Sequence, residues 1–371
     1  MVDLTSQYQK IKPEVDRALE GIMSSAAFIN GPEVKSFQAE LESYLGVKHV
    51  IPCANGTDAL QIAMMGLGLK PGDEVITPSF TYIATTEVIA LLNLKPVFVD
   101  VDDETFCMDP EKLEKAITDK TKAIVPVHLY GQAANMDAIM EIAHRHNVAV
   151  VEDNAQAIGS DYHHGNGSSS KTGTIGHIGT TSFFPSKNLG GYGDGGAIFT
   201  NDDELASQMR MIANHGQSKR YHHDVVGCNS RLDSFQAAVL RIKLRKLDEY
   251  NKARQEVADH YDAFFADFDQ VTPPVRADRS NHVFHQYTMK LEGVDRDGLS
   301  SFLNEKGIPN GIYYPVPGHR QKMFESFGSD STELPVTDWL TTRVISLPIH
   351  TEMDKEQLDF ICAAVAEYIN Q

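Results

Sequence analysis

The sequence lacks any apolar stretch of eighteen residues, so it predicts no membrane-spanning helix. Its opening residues, MVDLTSQYQK, contain neither a basic segment nor an apolar core, and we expect no signal peptide. Cysteine is scarce and shows no metal-type spacing, which favours a reducing, cytoplasmic location. Three histidine pairs occur, but no carboxylate or cysteine lies at a metal-ligand spacing from them, so the sequence predicts no metal site. The pairs are His144 and His146, His163 and His164, and His222 and His223. The cysteines are Cys53, Cys107, Cys228 and Cys362.

Positively charged residues are fewer than negatively charged ones. The chain carries 33 lysines and arginines against 51 aspartates and glutamates, and its net charge of −18 argues against a nucleic-acid-binding surface. A basic cluster runs from Lys219 to His223 and is followed by Arg231. At this point two interpretations stay open, a solvated loop and a local site for an anion.

The length of 371 residues and the apolar content of 42% predict a globular protein of either one large domain or two packed domains, and we expect two. Short apolar strands alternate with helical patterns over residues 1–250, which predicts an α/β domain with a mostly parallel sheet covered on both faces. Residues 251–371 have a different sequence pattern, with proline-rich segments and strands of alternating polar and apolar residues. This pattern predicts a smaller α+β domain. Strands are predicted at residues 49–53, 74–77, 96–99, 123–128, 149–152, 197–199, 287–291 and 344–347.

Helices are predicted between these strands from the spacing of apolar residues. We expect Pro13 at the first position of the first helix, one long helix over residues 232–260, and a surface loop over residues 163–171. The predicted helices cover residues 13–26, 33–44, 58–67, 85–92, 110–117, 136–146, 232–260 and 297–306, and a last helix starts at residue 355.

The stretch TTSFFPSKNLGGYGDGGAIFT, residues 180–200, presents a single lysine, Lys187, followed by five glycines between Gly190 and Gly196. Dense glycines allow close backbone approach and positive φ angles, so this lysine is a candidate for a placed functional group. A solvated lysine beside a flexible loop is the alternative. The pattern Gly191-x-Gly193-x-x-Gly196 is not a dinucleotide fingerprint, because it precedes a strand instead of following one and opening a helix.

Two further joins between a strand and a helix are chemically suggestive. Gly56 and Thr57 follow the strand at residues 49–53, where a helix N-terminus could bind a phosphate. Asp153 directly follows the strand at residues 149–152, and Gln156 comes three residues later. Ligands of parallel sheets bind beyond the carboxyl ends of the strands. Ordinary helix capping is the alternative at both joins.

Together these parts meet the needs of a pyridoxal phosphate enzyme, in which a lysine forms a Schiff base with the cofactor aldehyde and an aspartate keeps the pyridine nitrogen protonated. Over essentially its full length the chain resembles the DegT/StrS family of sugar aminotransferases, which are fold-type I pyridoxal phosphate enzymes. The matching stretches are INGPEV (29–34), CANGTDALQIA (53–63), GDEVITPSFTY (72–82), VVEDNAQAIG (150–159), TSFFPSKNLGGYGDGGAIFT (181–200) and HGQSKRYHHDVVGCNSRLDSFQAA (215–238).

The resemblance implies an α/β fold with a mostly parallel central sheet sandwiched between helices, plus a smaller C-terminal α+β domain. It implies that Lys187 binds the cofactor covalently and then moves the substrate proton. Asp153 would pair with the pyridinium, Gln156 would contact the ring hydroxyl, and Tyr82 would stack on the ring. A lysine at position 187 argues against the family's dehydratases, which carry histidine there.

The resemblance also implies a phosphate site formed by Gly56, Thr57 and Ser182. Asn229 would reach the same phosphate from the neighbouring subunit, which implies a homodimer with shared active sites. The substrate-binding residues would be Asn30, Arg231, Tyr313 and Tyr314.

The expected reaction transfers an amino group from L-glutamate to a nucleotide-linked keto sugar, with pyridoxamine phosphate as the intermediate cofactor form. The block YHHDVVGCNSRLD is similar to enzymes that aminate C3 of UDP-2-acetamido-2-deoxy-3-oxo-D-glucuronate in bacterial O-antigen synthesis. Those relatives have His-Tyr-Pro where this chain has Tyr313-Tyr314-Pro315, so dTDP-linked 3-oxo or 4-oxo sugars stay open as substrates. A pyridoxal-phosphate-binding regulator is a more remote alternative, since the chain is acidic and the enzyme-like pattern begins almost at residue 1.

Overall fold

The computed structural model describes residues 1–371, apart from the side chain at position 330. Its α-helices are α1 (Leu4–Ser25), α2 (Pro32–Leu45), α3 (Gly56–Gly66), α4 (Ala84–Leu91), α5 (Pro110–Ala116), α6 (Met136–His146), α7 (Asp203–Ile212), α8 (Ser234–Leu244), α9 (Leu247–Phe265), α10 (Arg296–Glu305), α11 (Pro335–Leu340) and α12 (Lys355–Ile369). Short 3₁₀ helices lie at Leu129–Gly131, Gly318–Arg320, Lys322–Phe327 and Ser329–Ser331.

The β-strands form one large sheet and three small ones. The strands are β1 (His49–Cys53), β2 (Glu74–Pro78), β3 (Lys95–Val99), β4 (Thr121–Ile124), β5 (Ala149–Asp153), β6 (Asp161–His163), β7 (Ser169–Lys171), β8 (Ile178–Ser182), β9 (Gly196–Thr200), β10 (Gln217–Lys219), β11 (His222–His223), β12 (Val271–Thr272), β13 (Tyr287–Leu291) and β14 (Val344–Leu347).

The large sheet has seven strands in the order β1-β9-β8-β5-β4-β2-β3. β3, β2, β4, β5 and β8 run parallel to one another, and β9 runs antiparallel to both of its neighbours, β1 and β8. Successive side chains of a strand point to opposite faces, and here Val150 and Val151 of β5 belong to two different apolar cores. The prediction of a mostly parallel sheet buried on both faces is confirmed.

The C-terminal part has its own apolar core. The antiparallel sheet β12-β13-β14 packs with α10, α12 and the second half of α9, from Val257 to Phe265. Residue 250 lies inside α9, so the predicted boundary at that position falls within one helix. The division into residues 1–250 and 251–371 stays a prediction.

The prediction for the first helix was wrong at its start. α1 begins at Leu4, where the Asp3 side chain accepts a hydrogen bond from the Ser6 N–H at 2.9 Å, and Pro13 lies inside the helix. Proline there removes one intrahelical hydrogen bond. Packing of the flanking residues Ile11 and Val15 against α8 offsets that loss.

Two other local predictions were also wrong. The expected helix over residues 232–260 is divided into α8 and α9, with Lys246 outside helical geometry at φ −113° and ψ 3°. No glycine or proline marks this break, so the apolar pattern continues across it. The expected loop over residues 163–171 overlaps a short hairpin of β6 and β7.

Among the described residues, none of the helices combines the length and the apolar character needed to cross a bilayer.

Candidate active site

Asp153 lies at the carboxyl end of β5, in the middle of the large sheet, and its side chain is buried. Its Oδ2 accepts a hydrogen bond from the Thr85 hydroxyl at 2.7 Å, and its Oδ1 accepts one from the Ala155 N–H at 3.1 Å. Thr85 is fully buried on α4. Two donors, one for each oxygen, therefore fix the direction of this carboxylate. The sequence pattern marked Asp153 but gave no signal for Thr85.

Lys187 follows β8, five residues beyond the end of that strand, and its backbone N–H donates to the Phe184 carbonyl at 2.9 Å. Burial lowers the pKa of Lys187 to about 8, while the negative charge of Asp153 acts in the opposite direction. No hydrogen bond or ion pair to Lys187 Nζ is found among the described residues. A lowered pKa gives this amine a sizeable neutral, nucleophilic fraction near neutral pH.

The N-terminus of α3 lies beside the end of β8. Asn55 caps the helix by accepting a hydrogen bond from the Asp58 N–H at 2.7 Å, so Gly56 and Thr57 belong to its first turn. A Cβ on Gly56 would lie 2.7 Å from the Cβ of Ser182, which is too close for any residue but glycine. Gly56 thus lies against Ser182 at a helix N-terminus, with Thr57 next to it in the first turn, and such a terminus is suited to a phosphate group.

Gln156 connects two tyrosines at the same edge of the sheet. Its Oε1 accepts a hydrogen bond from the Tyr130 backbone N–H at 2.7 Å, and its Nε2 donates to the Tyr314 hydroxyl at 3.0 Å. The Tyr314 ring lies 6.3 Å from that of Tyr82, centroid to centroid, and Tyr82 itself is exposed. Burial raises the pKa of Tyr314 well above its usual value, so its hydroxyl stays protonated. The backbone carbonyl of Tyr313 accepts from the Tyr130 hydroxyl.

His285 is a residue that the sequence pattern did not single out. Burial lowers its pKa well below the ordinary value, and the charges of Lys187 and then Arg254 act in the same direction. The fully buried Arg254 donates to the carbonyls of Phe284 and His285 at 3.0 and 3.2 Å. A neutral imidazole, held in place through its backbone, therefore lies within the electrostatic reach of Lys187.

A second group of predicted residues lies near the edge strand β1. Asn30 and Arg231 line a cavity of about 270 Å³ together with Arg210 and Ser230. The Ser230 hydroxyl accepts a hydrogen bond from the Ala54 N–H at 3.0 Å, two residues before Gly56. Asn229 is exposed. In the part of the chain that the structure describes, no hydrogen bond links Asn30, Asn229 or Arg231 to Lys187 or Asp153.

These residues fit a phosphate-bearing aldehyde cofactor. Lys187 supplies an amine, Asp153 supplies a fixed carboxylate, and the turn at Gly56 supplies backbone N–H groups for a phosphate. Tyr82 supplies an exposed ring for stacking. Among the described residues, no group of three or more His, Cys, Asp or Glu side chains is arranged to hold a metal ion.

Comparison with known proteins gives a match along nearly the whole chain. The model of the DegT/DnrJ/EryC1/StrS aminotransferase family matches residues 9–366. The "Pleiotropic regulatory protein" of Geobacillus stearothermophilus is 47% identical over 370 residues, which cover 99% of this chain and 98% of that protein. The "UDP-2-acetamido-2-deoxy-3-oxo-D-glucuronate aminotransferase" of Pseudomonas aeruginosa is 45% identical over 364 residues, or 98% of each chain.

Sugar aminotransferases with other substrates are also similar. The "dTDP-3-amino-3,4,6-trideoxy-alpha-D-glucose transaminase" of Streptomyces venezuelae is 40% identical, covering 99% of this chain and 95% of that protein. The crystal structure of S. venezuelae DesV in complex with a ketimine intermediate superimposes with a TM-score of 0.94 at 40% identity, covering 100% of this chain and 98% of the other. The structure of NtdA from Bacillus subtilis, with the cofactor PMP bound, gives a TM-score of 0.90 at 32% identity, covering 98% and 82%.

Proposed function

The chain belongs to the DegT/DnrJ/EryC1/StrS aminotransferase family, and from this premise we propose that it transfers an amino group from L-glutamate to the keto carbon of a nucleotide-linked sugar. The aminotransferases of this family use pyridoxal phosphate. The observation that carries the proposal is the lysine with a lowered pKa, Lys187, under the influence of the fixed carboxylate of Asp153 at the carboxyl end of the sheet.

The roles of the residues follow from their surroundings. When bound, the cofactor supplies an aldehyde for a lysine and a protonated ring that stabilises negative charge on the substrate carbon. The neutral Nζ of Lys187 would hold the cofactor through its aldehyde, and the same amine would accept and return the proton of the substrate carbon. Asp153, held by Thr85, would pair with the ring nitrogen, and the first turn of α3 would hold the phosphate.

For the acceptor sugar we propose C3 of UDP-2-acetamido-2-deoxy-3-oxo-D-glucuronate, with a role in O-antigen synthesis. The support is the 45% identity to the P. aeruginosa aminotransferase that bears this substrate in its name. A dTDP-linked 3-oxo or 4-oxo sugar is the alternative, supported by the S. venezuelae relative. Arg231 would bind the anionic part of the substrate, because its guanidinium suits bidentate contact with a carboxylate or diphosphate. A cytoplasmic location fits the absence of disulfides among the described cysteines.

The substrate is tested by incubating the enzyme and L-glutamate with each candidate keto sugar. We expect 2-oxoglutarate and the amino sugar to form in equal amounts with the UDP-linked uronate and much more slowly with the dTDP-linked sugars. The reverse preference would select the alternative substrate. A cofactor-loaded protein that forms no 2-oxoglutarate from L-glutamate would contradict the proposal and favour a regulator. The matched control is Lys187→Ala, which removes the amine and should form neither product.

We also propose a homodimer in which Asn229 of one subunit completes the phosphate site of the other. Asn229 is exposed in the single chain and is not hydrogen-bonded to Gly56 or Thr57 among the described residues, which is consistent with a role across an interface. Mixing the inactive variants Lys187→Ala and Asn229→Ala should then restore roughly a quarter of the wild-type activity, because each heterodimer contains one complete site. A mixture as inactive as its components would contradict the shared site.

A further inference from the structure

The glycine pattern Gly191-x-Gly193 has no role in the site described above, although it lies close to Lys187 in the sequence. Neither glycine has a positive φ angle, so backbone conformation does not require them. A Cβ at Gly191 would lie 2.8 Å from Gln236 Oε1, and one at Gly193 would lie 2.9 Å from Gln236 Nε2. The two glycines therefore make room for the amide group of a single side chain, Gln236 on α8.

Gln236 also binds the residue between the two glycines. Its Oε1 accepts a hydrogen bond from the Tyr192 N–H at 2.7 Å. Two helical turns further along α8, Lys243 places its Nζ 4.6 Å from the centroid of the Tyr192 ring. Lys243 is almost completely buried, with 1% of its surface exposed. Thus α8 contacts Tyr192 twice, at its backbone through Gln236 and at its ring through a cation–π contact.

The loop held in this way is the one that carries Lys187. The Gly191 N–H donates to the Phe183 carbonyl at 2.8 Å, and the Phe183 N–H donates to the Gly195 carbonyl at 2.7 Å. These two bonds close residues 183–195 into one compact loop. Lys187 is attached to the same loop by its own backbone bond to Phe184. A displacement at Tyr192 would therefore reach Lys187 through few intervening residues.

We propose that Gln236 is a positioning residue for Lys187. Its amide fixes the glycine-rich loop at Tyr192 and thereby sets the place of the Lys187 amine relative to Asp153. The inference rests on the proposed role of Lys187, but the contact itself can be tested without cofactor or sugar. The glycines at 191 and 193 are then required by the Gln236 side chain and not by a nucleotide.

The first test is amide hydrogen exchange of the cofactor-free protein, read by mass spectrometry on a peptide covering residues 187–196. Gln236→Ala removes the acceptor of the Tyr192 N–H, and we expect exchange at this amide about tenfold faster. Gln236→Glu keeps the acceptor oxygen and should restore protection. Gln357→Ala is the matched control, because it removes a glutamine that accepts a hydrogen bond from the Asp354 N–H far from the loop.

The second test is a double-mutant cycle. Gly193→Ala should push the Gln236 amide away and so reproduce the Gln236→Ala exchange rate, whereas the double variant should be no faster than either single one, because both changes break the same contact. Each of the three proteins should bind pyridoxal phosphate about five- to tenfold more weakly than the wild type, with the control unchanged.

Unchanged exchange at Tyr192 in Gln236→Ala, or fast exchange with unchanged cofactor affinity, would overturn the positioning role. Additive effects of the two substitutions would overturn it as well. A failure of the proposed aminotransfer reaction would look different, because the exchange results would stand while L-glutamate gave no 2-oxoglutarate.

Discussion

Lys187 and Lys243 make an instructive pair, because burial lowers the pKa of both lysines to about 8 and yet their surroundings differ. Lys187 is partly exposed and lies within the influence of Asp153, at the carboxyl end of the sheet. Lys243 is buried on α8 against the ring of Tyr192, and burial alone accounts for its shift. Lys187 belongs to the glycine-rich loop itself, and Lys243 contacts the Tyr192 ring of that loop from α8.

The difference shows that a lowered pKa does not identify a reactive amine by itself. A nucleophile also needs access and a charge arrangement that its chemistry can use. Lys187 is only half-buried as a residue, and it lies within the electrostatic influence of a carboxylate whose direction is fixed by Thr85. Lys243 is buried against the aromatic ring of Tyr192, which suits a structural role. The following experiments compare the two positions directly.

We expect the largest difference in turnover between the variants Lys187→Ala and Lys243→Met. Loss of the Lys187 amine should lower turnover by more than about 1,000-fold and abolish covalent cofactor binding, because the proposed nucleophile and the proposed proton carrier are one and the same group. Lys243→Met keeps the volume of the side chain and should lower turnover by no more than about tenfold. Steady-state kinetics with L-glutamate check both values, and similar losses in the two variants would remove the distinction.

Asp153→Asn should give the next largest effect, a loss of about 100-fold in turnover, because it neutralises the carboxylate that we propose to pair with the ring nitrogen. The same change removes the charge that raises the pKa of Lys187, so this pKa should fall below about 8. Labelling of the cofactor-free protein with an amine reagent across a pH series measures this shift. A pKa of Lys187 that stays constant or rises in Asp153→Asn would contradict the proximity of the two groups.

Lys243 should make folding stability depend on pH. Its folded pKa of about 8 lies below the unfolded value, so the unfolded chain binds more protons between about pH 8 and 10 and stability should rise over that interval. Lys243→Met should remove about 1–3 kcal/mol of this rise. Denaturant unfolding of the wild type and the variant at pH 7 and pH 10 tests the sign, and an equal pH dependence in both would refute it.

Tyr314→Phe should have the smallest effect. It removes the hydroxyl that accepts from Gln156 at 3.0 Å, at a cost of about 1 kcal/mol, or roughly fivefold in cofactor affinity. Tyr368→Phe on α12 is the matched control far from the site and should leave the affinity unchanged. Fluorescence titration with pyridoxal phosphate measures both variants. Equal affinities for Tyr314→Phe and the wild type would mean that the hydrogen bond from Gln156 to Tyr314 does not contribute to cofactor binding.

Local patterns predicted much of the architecture but not the pairwise contacts across it. The strands around Asp153 and the turn at Gly56 follow from apolar runs and from glycine, which depend on near neighbours in the chain. Thr85 and Gln236 act through partners 68 and 44 residues away, so no local pattern reveals them. The break between α8 and α9 escaped prediction for a related reason, since it contains no glycine or proline.

The roles of Lys187, Asp153, Gln156, Tyr82 and the phosphate-turn residues remain predictions supported by their placement. Asn30 and Arg231 line a cavity whose lining does not include Lys187, and Asn229 is exposed in the single chain, so the role of Asn229 depends on the proposed dimer. The role of Asn229 could not be predicted from the fold of one chain. An exposed asparagine looks the same whether it faces solvent or completes a site in a neighbouring subunit.

The central claim is tested most directly by finding which lysine holds the cofactor. The protein is loaded with pyridoxal phosphate, reduced with borohydride, digested, and analysed by peptide mass spectrometry. We predict the added mass of the reduced cofactor on Lys187 and none on Lys243. A modified Lys243, or a protein modified equally at many lysines with Lys187 unmodified, would contradict the assignment of the active site.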